Sequence, residues 1–137
     1  MTSKSERLNK PISAAEMERR WDSVRSAMEA EAIDVLLMQN NNDHMGGYTK
    51  YFTDMPATNG YPHTIIFPRD DHMTKIGQGP FNLDLEPDPN GSDGISRGIK
   101  RVMTAPSYAS APYTRTYDPE LACKALEPYK DRTIGLV

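Results

Sequence analysis

The chain has 137 residues, enough for one domain with one modest core. Hydrophobic residues make up 37% and charged residues 26%, which excludes a disordered tail, and a net charge of -3 with mixed signs offers no electrostatic footing for nucleic acid or an anionic membrane. No run approaches the roughly eighteen apolar residues of a membrane span, the opening Met-Thr-Ser-Lys-Ser-Glu-Arg lacks the apolar core of a signal peptide, and Cys123, the single cysteine, excludes an internal disulfide and a cysteine zinc site. A reducing cytoplasm is the expected compartment.

Residues 1–12 read as a flexible polar segment and 13–137 as the domain. Ser13-Ala14-Ala15-Glu16 has capping-box spacing, with the Ser13 hydroxyl accepting from the Glu16 N–H and the Glu16 carboxylate reaching back. Ile12 and Met17 hold the two positions of a hydrophobic staple. Met17, Trp21, Val24 and Met28 then recur at helical spacing, with Glu18, Arg19, Arg25 and Glu29 opposite, so a helix is expected over about 14–31. Asp34-Val35-Leu36-Leu37-Met38 is a short apolar run that reads as a strand buried on both faces and central in a sheet.

After a polar break at 39–43, residues 44–53 have room for a short helix weakened by Gly46-Gly47, with Tyr48 and Phe52 facing the core. Residues 54–62, with two prolines and a glycine, read as a loop. His63 to Phe67 is a second strand, Pro68 to Asp71 a turn, and His72 to Gly77 the returning strand of a hairpin. The stretch 77–98 is rich in glycine and proline and is expected to be a long excursion. Ile99 to Thr104 reads as a fourth strand. Asp118-Pro119 reads as a helix cap followed by proline at the first helical position. Leu121, Ala122, Ala125 and Leu126 are the apolar face of that helix, with Cys123 on or beside it as a small buried hydrophobe, and Pro128 ends it. Thr133 to Val137 reads as a closing strand, and a chain that stops there is expected to be cut at a domain boundary.

Helix, strand, hairpin, strand, helix, strand is the order of an α/β fold, three-layer-like, with a mixed, mostly buried sheet flanked by helices. The hairpin demands an antiparallel pair. Glycine-rich phosphate loops, a nucleophile elbow and paired histidines on a helix are all lacking from the sequence. His63 and His72 flank the hairpin and Asp70-Asp71 occupy its turn, which reads as a solvated turn rather than a metal site. Asp43 follows the first strand without the acidic pair that a receiver domain needs. No catalytic residue and no metal ligand are assigned.

The run from Met17 to Thr53 resembles the N-terminal domain of the creatinase, prolidase and aminopeptidase P superfamily. The residues that carry this resemblance are Val24-Arg25-Ser26-Ala27-Met28, Ile33-Asp34-Val35-Leu36-Leu37, and, after a polar gap, Tyr51-Phe52-Thr53. Two departures stand out. Ala32 occupies the place of a helix-ending glycine, and Asp54 replaces the glycine that follows the threonine. The resemblance implies a ribonuclease H-like motif and a chain that is inactive by itself. Catalysis in such proteins belongs to a C-terminal pita-bread domain, which holds two divalent ions (Mn, Co or Zn) in the peptidases. It further implies a homodimer in which this domain helps close the partner subunit's active site. The 54–63 loop is then the segment expected to reach across, with Tyr61, His63 and Tyr51 as substrate-contact candidates. The alternative is a free-standing α/β module that binds a small molecule or a protein.

Overall fold

The computed structural model describes residues 12–39, 47–55, 62–80, 82–90, 96–106 and 117–137. The first helix, α1 (Ala14–Ala30), begins where the sequence predicts: Ser13 takes extended backbone and its hydroxyl accepts from the Glu16 N–H at 3.2 Å. The second half of the capping box does not form. The Glu16 carboxylate turns instead to Arg19 (2.7 Å) and Arg20 (2.9 Å), because two guanidinium donors one turn away outcompete a neutral backbone N–H. Those two partners, Arg19 first, hold its carboxyl at about 2.

Strand β1 (Val35–Gln39) follows α1 directly. Helix α2 (Gly47–Thr53) lies within the 44–53 stretch where a short helix is expected, and Gly46 falls outside the described residues. Strands β2 (Thr64–Pro68) and β3 (Met73–Gln78) form the expected hairpin, paired from Thr64↔Ile76 to Ile66↔Thr74. Among its described residues the 77–98 excursion contains a short strand, β4 (Asp84–Leu85), which two residues of sequence are too few to announce. Its Asp84 carboxylate is gripped by Arg101 (2.7 Å) and Lys124 (3.1 Å) and held at about 2, chiefly by the Arg101 hydrogen bond. Strand β5 (Ile99–Ala105) lies beside it, and α3 (Tyr117–Leu126) gives way to a 3-10 turn (Glu127–Tyr129) containing Pro128. Strand β6 (Ile134–Leu136) completes a six-stranded mixed sheet of order β4-β5-β3-β2-β1-β6.

Because β2 is antiparallel to both β1 and β3, and β5 and β6 are parallel to β3 and β1, four strands share one direction. β1 is internal as expected, yet it lies one strand from the edge, not at the centre. Period-two alternation splits its side chains between two cores. Leu36 and Met38 join Met17, Trp21 and Met28 of α1 and Phe52 of α2 on one face, while Val35 joins Ala122 and Ala125 of α3 on the other. The result is a three-layer α/β domain. Asp34 ties its two ends: its Oδ2 accepts from the Thr133 N–H at 3.0 Å and its Oδ1 pairs with Arg69 at 3.0 Å, which lowers its pKa, the Thr133 contact contributing most.

Three expectations need correction. Tyr48 does not face the core; it is 60% exposed, because α2 is too short to bury more than the Thr49, Phe52 and Thr53 side. Cys123 is exposed, since Ala122 and Ala125 occupy the face against the sheet. Asp118 is not the cap of α3: the helix begins at Tyr117, and the Asp118 side chain takes a hydrogen bond from Gln78.

Candidate functional site

The common strand direction gathers the carboxyl ends of β1, β3, β5 and β6 and the amino end of β2 at one edge of the sheet. In α/β sheets that edge is where loops converge on ligands. Gln39, His63, Gln78 and Asp118 all stand here.

His63 precedes β2 and faces Gly77 of β3, an arrangement set by the Thr64↔Ile76 register. A Cβ on Gly77 would lie 3.0 Å from the His63 Nδ1, so the glycine makes room for the imidazole. That Nδ1 is buried and has no hydrogen-bond partner among the described residues. Burial first, and the nearby Lys75 charge second, push the His63 pKa below its ordinary value, which favours the neutral ring.

Asp118 lies on the other face. Its Oδ2 accepts from the Gln78 Nε2 at 3.3 Å, while its Oδ1 and the Gln78 Oε1 are buried without a donor. Burial raises the Asp118 pKa, and the Gln78 hydrogen bond only partly opposes this. A pocket of about 400 Å³ opens beside it, lined by Leu37, Gln39, Thr64, Asp118, Ala122 and Leu136 among others. Gly77 and Gln78 are successive strand residues and point to opposite faces. His63 and Asp118 therefore share an edge but not a cavity, and they do not form an acid–base pair.

Of the sequence-predicted contacts, Tyr51 is 41% exposed on α2, with the Arg20 guanidinium 5.0 Å above its ring. Tyr61 lies outside the described residues, as do His44 and Asp43. His63 and His72 stand at opposite ends of the hairpin, about 17 Å of strand apart, so they form no metal pair. Among the described residues no group of three or more His, Cys, Asp or Glu is placed to hold a metal ion, and no helix is long and apolar enough to cross a membrane.

Sequence reasoning missed Gln78 entirely and read Asp118 as a cap. It also missed the role of Asp54, whose buried carboxylate accepts from the Ile12 N–H (3.1 Å) and from Arg97 (3.1 Å), 43 residues away. No local pattern links residues so far apart; the aspartate after a Tyr-Phe-Thr segment was the available signal. Compared with known proteins, the chain matches no family model and no curated sequence at a significant level.

Proposed function

We propose that this chain is a non-catalytic domain of the creatinase, prolidase and aminopeptidase P type, acting in the cytoplasm. In this reading it packs on its own C-terminal catalytic domain, contributes to a homodimer and helps close the partner subunit's active site. The observation that carries the reading is backbone conformation. Ala32 and Asp54, the two positions where the resemblance calls for glycine, both have a φ of 54°. That left-handed region is glycine's own, and other residues enter it at a cost. At both positions the backbone is one that a glycine would adopt without strain, which supports the resemblance despite the change of residue type.

A second feature supports a covering role. Leu136 on the edge strand β6 is 80% exposed and Ile134 37% exposed, an apolar edge suited to another domain. Ion ligands for two-metal hydrolysis would belong to that domain. The chemistry of this chain would be limited to contacts such as Tyr51, His63 and Tyr61.

The test begins with the reading frame beyond Val137. We expect about two hundred further residues or more, the size of a separate domain, and hydrolysis of Xaa-Pro dipeptides with added manganese by the longer chain only. Tyr61→Ala should alter the kinetics of that longer protein. A stop codon after Val137, or turnover by the 137-residue chain itself, overturns the proposal in favour of a free-standing binding module or an enzyme.

A further inference from the structure

Arg97 and Gly98 approach α1 closely. Gly98, at φ 71°, leaves no space for a Cβ, which would lie 2.6 Å from the Trp21 ring. Beside this contact a pocket of about 300 Å³ lies between α1 and Pro89, Asn90, Arg97 and Gly98. Trp21, Ala14 and Pro89 supply its apolar wall, and Arg25, Arg97, Asn90 and Glu18 much of its polar lining.

The two arginines are not equivalent. Arg97 is neutralised: its guanidinium donates to the Ile12 carbonyl and to the buried Asp54 carboxylate. Arg25 is half-buried, its guanidinium 5.0 Å over the Phe67 ring, and among the described residues it makes one hydrogen bond, to the Asp71 carbonyl at 3.0 Å. The Asp71 carboxylate is engaged elsewhere, by Lys100 and by the His72 N–H. Asp22, itself well exposed, comes no nearer to Arg25 than 4.0 Å. Among the described residues the Nε groups of both arginines are buried without an acceptor. A guanidinium has five N–H donors, and a half-buried cation whose nearest carboxylate among the described residues is the exposed Asp22 at 4.0 Å favours a further acceptor.

We propose that this pocket binds a small organic monocarboxylate, its oxygens on the Arg25 guanidinium and its apolar body against Trp21. The planar guanidinium fork suits a carboxylate. A single charge fits because Asp54 already offsets Arg97 and Glu18 adds a negative charge at the rim. The volume, at the low end for ligand sites, suits a small ligand. This inference stands apart from the family reading, since it uses none of the residues expected to reach a partner subunit.

Trp21 is the single tryptophan, so its emission reports on this pocket alone. Sodium butyrate is titrated into the intact chain, with sodium chloride at equal ionic strength as the control. We expect a saturable change with butyrate at about millimolar strength, as befits so small a ligand, and none with chloride. Arg25→Gln should weaken binding by about ten-fold or more. Glu18→Gln, at an exposed helix position, should tighten it by removing a like charge, and this variant decides the matter if Arg25→Gln does not fold. No saturable response up to about 0.1 M, or an unchanged Kd in the folded variants, overturns the proposal.

Discussion

Ala32 and Asp54 share a backbone angle and differ in everything around it. Ala32 is exposed, so Ala32→Gly removes left-handed strain and loses only unfolded-state entropy; we expect a gain of about 0.5 kcal/mol in urea unfolding. Asp54 is 6% exposed and anchors Arg97. Asp54→Gly relieves the same strain but strands the half-buried Arg97 guanidinium, at a cost of about 3–5 kcal/mol, so the net change should be destabilising by about 2–4 kcal/mol. Equal signs for the two variants would show that strain, not pairing, rules at Asp54. Asp118 makes a pH-dependent case. Its folded pKa is raised by burial, so the folded state binds the proton more tightly than the unfolded one, and stability falls as pH rises above the unfolded value of 3.8. Asp118→Asn should therefore raise the melting temperature at pH 7, with the advantage gone near pH 3, where both states are protonated. His63 has the converse sign for a base: its folded pKa is depressed, so its contribution is present above the unfolded value of 6.5 and declines below it.

Element by element, the strongest local signals correspond to the firmest structure. The α1 stripe of Met17, Trp21 and Met28 is buried as its spacing requires, and the Ser13 cap forms. What spacing does not reveal is where a helix side chain finds its polar partner. The Trp21 indole N–H donates to the Phe52 carbonyl at 2.8 Å, locking α1 to α2 across 31 residues. Gly98 belongs to the same contact. Gly98→Ala forces a side chain into left-handed backbone and into the Trp21 ring. We expect a loss of about 2–4 kcal/mol by denaturant unfolding; a loss below about 1 kcal/mol would mean that α1 shifts freely on the sheet. Strand β4 and the true start of α3 escaped the sequence because short elements take their form from neighbours, here Arg101 gripping Asp84 and Gln78 meeting Asp118.

At the scale of the whole molecule, the exposed edge of β6 sets a prediction that separates domain from assembly. Leu136→Ser should change the unfolding of this chain by less than about 0.5 kcal/mol, as for other exposed positions. In a longer protein whose next domain covers β6, the same change should cost about 1.5–3 kcal/mol, the value of one buried leucine. Equal effects in both would remove β6 from the proposed interface. The α/β class, the hairpin, the capped first helix and the buried first strand were determined by the sequence alone, because each rests on periodicity or turn chemistry within about fifteen residues. Strand order, the pairing of β6 with β1, the Asp54–Arg97 anchor and the placement of Arg25 over the Phe67 ring were decided only by tertiary structure. Each joins residues dozens of positions apart, and no local propensity carries the register or the charge balance that brings them together.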